Sequence, residues 1–183
     1  DHIWVKASGT SLSDISEEGF VGLSRELLKL IREKKYSLDS KEREQEVKED
    51  MTKAIISPKH LRPSVETSMH EIIPHSYIVH THPTLVNALM CSKNAEQLTK
   101  EIFGADAIYI GYTDPGYILF KKVHEKLVEF EASEGYCPKV IFLQNHGVFV
   151  GSDSVDDIKE IYNEIEHSLK EHIRNNPLGS EVS

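Results

Sequence analysis

Apolar residues along this chain recur with two different periods that take turns. Residues 2–7 (His-Ile-Trp-Val-Lys-Ala) read as a short strand, and the small polar run Ser8-Gly9-Thr10-Ser11 as the turn that follows. Between 16 and 35, Phe20, Leu23, Leu27, Leu30 and Ile31 recur at helical spacing, which predicts one helix. A second, highly charged helix is expected over about 40–56. It carries Val47, Met51, Ala54 and Ile55 on one side, and its charges make a solvated face. Pro58 and Pro63 then interrupt the pattern, so 57–64 reads as a loop.

The second half alternates faster. A short helix is expected over 66–73 and a strand over 77–82. Pro83 suits the first turn of a new helix, where its missing N–H has no partner to lose. That helix carries Leu85, Ala88 and Leu89, and another follows near 95–103. Residues 107–110 read as a strand and 116–132 as a helix. The apolar run 139–143 is a buried strand, and 147–151 is another. Ser154 can cap a last helix with Asp156 and Asp157 in its first turn. Val155, Ile158, Ile161, Tyr162, Ile165 and Leu169 form its buried stripe, and the tail 175–183 is expected to fray. Strands and helices interleave throughout, so the class is α/β, a sheet covered by helices, with strand order and direction left open.

A chain of 183 residues suits one domain, placed at 1–174, better than two. No stretch approaches the roughly 20 apolar residues that span a membrane, and the start does not resemble a signal peptide. It begins on Asp, which leaves a fragment or missing ends as readings. Cys91 and Cys137 are not in CxxC spacing, so they offer neither a disulfide framework nor a thiolate metal site, and a reducing cytoplasm is the plain expectation. The net charge of −9 argues against general nucleic-acid binding. It leaves room for a small phosphorylated substrate, because neutral imidazoles leave most of a divalent ion's charge uncompensated.

The chemistry concentrates in Ile78-Val79-His80-Thr81-His82-Pro83 and Gln144-Asn145-His146-Gly147. Alternate residues of a strand share a face, with Cβ atoms about 7 Å apart, so His80 and His82 can both reach one ion. His146 sits in a turn between two apolar strands, where Gly147 permits tight backbone geometry. Three imidazoles with an open fourth position describe a catalytic divalent site; structural zinc sites usually recruit cysteines. Glu66, in Arg62-Pro63-Ser64-Val65-Glu66-Thr67, is ligand or base. The chain holds ten histidines, so an isolated HxH can arise from packing. His2, His60, His70, His75, His124, His167 and His172 receive that reading.

HTHP after an apolar strand, NHG after another and PSVET upstream together resemble the class II aldolase/adducin family, over most of the chain from about residue 4 to 173. The flanks 4–10, 62–67 and 80–83 look like the aldolase half of bacterial bifunctional rhamnulose-1-phosphate aldolase/short-chain dehydrogenase proteins. No GxGxxG follows a strand, consistent with a missing dinucleotide-binding half. The resemblance implies a three-layer α/β/α sandwich around a central β-sheet, and zinc, or another divalent metal, on His80, His82 and His146. It makes Glu66 the acid/base and a resting fourth ligand that substrate displaces. Ser8, Gly9, Thr10 and Ser64 would hold a substrate phosphate, although Val65 stands where simpler fuculose-type members carry a serine. Tyr109 and Tyr112 are the candidates for a proton donor, against a plain role in sheet-edge packing. A homotetramer is the implied assembly.

The expected activity is that of a carbon–carbon lyase, a metal-dependent aldolase cleaving a rhamnulose- or fuculose-type ketose 1-phosphate to dihydroxyacetone phosphate and an aldehyde. Such cleavage needs a base for the C4 hydroxyl proton and an electrophile for the resulting enediolate, which zinc and Glu66 supply without a lysine Schiff base. Lys6 therefore needs no catalytic role. A sugar-phosphate 4-epimerase or a dehydratase would use the same histidines, and an adducin-like interaction module would generally have lost them.

Overall fold

The computed structural model describes residues 1–176, so the expected frayed tail lies outside the described residues from 177 onward. The chain divides into two compact units, Asp1–Ile72 with Asp114–His124, and Ile73–Thr113 with the chain from Glu125 onward. The α/β class read from the sequence is the one observed, with the strands shared between a three-stranded and a four-stranded sheet.

In the first unit, β1 (His2–Lys6), β2 (Phe20–Ser24) and β3 (Ile55–Ser57) form an antiparallel sheet in the order β1-β2-β3. Two helices, α1 (Arg25–Glu33) and α2 (Ser40–Ala54), follow β2, and α3 (Thr67–Ile72) ends the segment. Ile3, Val5, Val21, Leu23 and Ile55 from the sheet bury against Leu28, Ile31, Met51 and Ala54 from α1 and α2.

The single helix expected over 16–35 is corrected here. Glu17–Gly19 is one 3-10 turn, 20–24 is a strand, and only Arg25–Glu33 is α-helical. Phe20 to Ser24 pair residue by residue with β1, and the Ser24 hydroxyl then accepts the Leu27 N–H at 3.3 Å to start α1. The three-residue spacing of Phe20 and Leu23 thus belongs to a strand; Leu28 and Ile31 face the core while Leu27 and Leu30 are exposed. Ile55 likewise leaves α2 to open β3, because β2 has a free edge to pair.

An ion-pair cluster ties α1 to α2. The Asp50 carboxylate accepts from Lys34 at 2.6 Å, Lys53 at 2.7 Å and the Tyr36 hydroxyl at 3.0 Å. The bond from Lys34, then that from Lys53, lowers its pKa from 3.8 to about 2. A pKa lowered by folding stabilises the native state above the unfolded value, near 4, and that contribution disappears as pH falls towards about 2. Urea midpoints measured from pH 5 to 2 should therefore fall less steeply in Asp50→Asn than in the wild type. An identical slope would remove the cluster from the acid response.

The second unit holds β4 (Tyr77–Thr81), β5 (Ala107–Ile110), β6 (Val140–Leu143) and β7 (Gly147–Ser152), in the order β4-β7-β6-β5. β7 runs antiparallel to both β4 and β6, while β5 is parallel to β6. Flanked on both sides, β7 is buried along its whole length. Its Val148 and Val150 pack with Phe142, with Val86, Leu89 and Met90 of α4 (Thr84–Met90), and with Ile158, Ile165 and Leu169 of the last helix. Pro83 is the cap just before α4 rather than a residue of its first turn. α5 (Ala95–Phe103) leads into β5, and α6 (Tyr117–Glu134) precedes β6.

The last helix, α7 (Val155–Asn175), is capped by Ser154, whose hydroxyl accepts the Asp157 N–H at 3.4 Å. Of its expected stripe, Ile158, Ile165 and Leu169 are buried, Ile161 and Tyr162 partly so, and Val155 is exposed. No helix among the described residues is long and apolar enough to cross a membrane.

Candidate metal centre

The antiparallel register of β4 with β7 sets His80 opposite Phe149 and Thr81 opposite Val148. Strand alternation sends Ile78 and His80 to one face and Val79 and Thr81 to the other, and His82 continues the series of His80. β7 begins at Gly147, opposite Leu143 of β6, so residues 144–146 are the hairpin turn. Asn145 takes up its left-handed position at φ 56°, and its N–H donates to the Met90 carbonyl at 3.2 Å. The His146 N–H donates to the Leu143 carbonyl at 3.1 Å. The turn therefore delivers His146 to the end of the sheet where β4 finishes.

Gly147 serves this turn through space rather than through backbone freedom, which refines the sequence-based expectation. A Cβ on it would lie 2.5 Å from the Thr81 carbonyl oxygen and 2.5 Å from His82 Cδ2. No other residue fits there without moving Thr81 or His82.

The three imidazoles form a nearly equilateral triangle. Ring centroids are 4.8 Å apart for His80 and His82, and 5.0 Å for each of the pairs with His146. The rings stand at 71–84° to one another, so their nitrogens converge while their edges do not crowd. One ring nitrogen of each lies within 4.8 Å of the others. His80 Nδ1 is 3.0 Å from the Val148 carbonyl; an N–H there donates to that carbonyl and leaves Nε2 as a lone-pair donor to an ion. That Nε2 is 2.9 Å from His82 Nε2, a separation that two nitrogens each about 2.0–2.1 Å from one ion can span. The His80 ring also stacks on Phe149, at 4.1 Å and 17°. His82 is exposed, while His80 and His146 are half-buried. Donor type, convergence and a fixed tautomer all fit a divalent cation.

Glu66 lies at the head of α3, where its carbonyl accepts the Met69 and His70 N–H groups. Ser64 holds it twice: the serine hydroxyl oxygen accepts the Glu66 N–H at 3.2 Å and its proton reaches the Glu66 carboxylate at 3.3 Å. A bridge between Ala7 and Pro63, with Ser8 N–H donating to the Arg62 carbonyl at 2.8 Å, brings the Ser8-Gly9-Thr10 turn beside the Ser64 loop. Gly9 takes the turn at φ 86°. Ser8 and Ser64 both line a cleft of about 460 Å³ within the first unit, together with Lys48, Lys59 and Arg62. The Lys6 amine donates to the carbonyls of Ala7 and Thr10.

The two tyrosines lie in the second unit. Tyr109 packs against the core from β5, and burial raises its phenol above the ordinary value. Tyr112 is 58% exposed, and its N–H donates to the Gln144 side chain at 2.8 Å, next to the turn that carries His146. Sequence reasoning missed Phe149, the Val148 carbonyl and the support behind Thr81. Only the strand register exposes the first two, and a hydroxyl within an apolar stripe, Tyr162, was the available sign of the third.

A trio of this kind could hold a metal ion, and comparison with known proteins shows which family its scaffold belongs to. The model of the class II aldolase and adducin N-terminal domain matches residues 1–173, and the chain belongs to that family. It is similar to the uncharacterized oxidoreductase YuxG of Bacillus subtilis (strain 168), 27% identical over 146 residues, which make up 80% of this chain. The chain spans only 20% of that relative's length. Its fold is also that of the N-terminal class II aldolase domain of a conserved protein from Thermoplasma acidophilum, at 21% identity and a TM-score of 0.76, covering 92% of this chain and 73% of that one. An L-fuculose 1-phosphate aldolase matches at 17% identity and a TM-score of 0.59, covering 99% of this chain and 73% of the other.

Proposed function

We propose that this chain is the catalytic domain of a zinc-dependent aldolase that reversibly cleaves a ketose 1-phosphate of the rhamnulose or fuculose type. The observation that carries this reading is the histidine triangle, with centroids 4.8–5.0 Å apart, in a member of the class II aldolase and adducin family. Sharing a fold with an L-fuculose 1-phosphate aldolase supports the choice of substrate. A homotetramer in the cytoplasm is the setting that goes with this reading.

When bound, the ion supplies Lewis-acid polarisation of the ketose carbonyl. His80, His82 and His146 would hold it. On cleavage Glu66 takes the proton of the C4 hydroxyl as the C3–C4 bond breaks and delivers it to C3, which releases the aldehyde and dihydroxyacetone phosphate; condensation reverses both transfers. Ser8, the Gly9-Thr10 turn and Ser64 orient the phosphate. Ser64 has one proton, now directed at Glu66, so bonding a phosphate oxygen requires that hydroxyl to turn away from the carboxylate.

The cleft lined by Ser8 and Ser64 supports an anionic substrate. The side chains of Lys48, Lys59 and Arg62 line it without an ion pair to any described residue, in a chain whose net charge is −9. Its one lining carboxylate, Glu44, accepts the Tyr117 N–H at 3.2 Å and pairs with Arg43 at 3.5 Å. These cations supply charge where Val65 removes a hydroxyl.

The test is a cleavage assay on metal-replete protein across ketose 1-phosphates, reading dihydroxyacetone phosphate release. Glu66→Gln should keep its metal and lose about 10²–10⁴-fold in turnover, the usual worth of a positioned acid/base. Full activity in that variant would remove Glu66 from the mechanism, and undiminished turnover after chelation would overturn the metal-dependent reading. Product analysis separates cleavage from epimerisation.

A further inference from the structure

Thr81, the last residue of β4, stands between His80 and His82, and its side chain points to the face of the strand opposite His80. There its hydroxyl donates to the Tyr162 hydroxyl at 2.8 Å, and Tyr162 gives its own proton to the Val79 carbonyl at 3.3 Å. Each hydroxyl spends its single proton once, so the pair is satisfied without an added water. Both bonds land on neighbours of His80 in the chain. Thr81 is also the last residue of β4 paired to β7, and His82 follows it directly.

The hydroxyl comes from a firm support. Tyr162 belongs to α7, whose Ile158, Ile165 and Leu169 are buried in the core of the same unit. Burial pushes the Tyr162 phenol above its ordinary range, with the bond from Thr81 acting the other way, so it stays a neutral donor at working pH. On the opposite face, His80 is fixed by the Val148 carbonyl and Phe149. The strand end that carries two ligands is thus gripped from both sides.

We propose that Tyr162, acting through Thr81, is a positioning residue for the metal centre: it fixes the backbone between His80 and His82 and so the convergence of their nitrogens. This inference rests on the metal-centre reading above. Tyr162 touches neither ion nor substrate. Its removal should loosen the geometry of the ligands without deleting one.

Zinc affinity, measured by competition with a chromophoric chelator, and the visible spectrum of the cobalt(II)-loaded protein together test it. Tyr162→Phe should bind zinc about tenfold more weakly, at the low end of the range for partners that orient metal ligands, and shift the cobalt bands. Thr81→Val should do the same, Thr81→Ser should restore both readouts, and the double variant should be no worse than either single one. If Tyr162→Phe fails to fold, the Thr81 pair carries the test alone. A wild-type affinity and spectrum in Tyr162→Phe or Thr81→Val, whatever happens to thermal stability, would overturn the positioning role and leave the metal centre standing. A wild-type protein that takes up neither ion would overturn the centre itself, and the inference with it.

Discussion

His82→Ala is expected to cost the protein its metal while leaving its fold nearly untouched. His82 is the exposed corner of the triangle, whereas His80 stacks on Phe149 and bonds the Val148 carbonyl. Removing an exposed side chain at the end of the strand should change the stability of the metal-free protein by less than about 0.5 kcal/mol. Losing one of three ligands should weaken zinc binding more than the 10–100-fold seen for outer partners, so roughly a hundredfold or more. Metal titration, with urea unfolding of the metal-free form, separates the two effects. Turnover in the aldol assay should fall to background in parallel. A variant that keeps stoichiometric zinc and full turnover would refute the assignment of His82.

Gly147→Ala should damage both the sheet and the site. The added methyl would sit 2.5 Å from the Thr81 carbonyl oxygen and 2.5 Å from His82 Cδ2. The first neighbour is backbone in a paired strand and cannot yield without disturbing its pairing to Val148. The second can rotate, but only by leaving the triangle. Overpacking of this kind costs about 1–3 kcal/mol, and here zinc affinity should fall with it. Gly9→Ala is the contrast. A Cβ there meets nothing within 4 Å, and the penalty comes from φ 86° alone, about 1–2 kcal/mol for an ordinary residue in a left-handed position. That variant should lose stability and keep its zinc. Equal zinc affinities for Gly147→Ala and the wild type would show that the space is not needed.

The candidate ligands were legible in the chain because each clue was local. HTH on a strand needs only period-two alternation, and NHG needs only two flanking apolar runs. The strand at Tyr77–Thr81 and the capped helix from Val155 were readable for the same reason, as periodicity and a cap coincide there. Reading 16–35 as one helix failed because Phe20, Leu23 and Leu27 satisfy helical spacing by coincidence. The competing fact, five residues of pairing with β1, is non-local. Asn145 and Gly147 were visible as a turn, but their separate tasks were not. One supplies the left-handed backbone and the other an absent methyl, a division that only the approach of Thr81 and His82 defines. Tyr162 was counted among apolar positions, and its hydroxyl proved to be the part with consequences for the neighbouring strand.

The antiparallel pairing of β4 with β7 has a bearing on how the protein reaches its native state. Sliding β4 by one residue would turn His80 and His82 to the face now held by Val79 and Thr81, leaving His146 without companions. Chelation by all three is available to the correctly aligned sheet alone. A divalent ion present during refolding would therefore favour that alignment by mass action, by about 2.7 kcal/mol at a hundredfold excess over its dissociation constant. Slipped forms would gain nothing. An ion bound for chemistry in the mature protein would act beforehand as a proofreader of strand alignment.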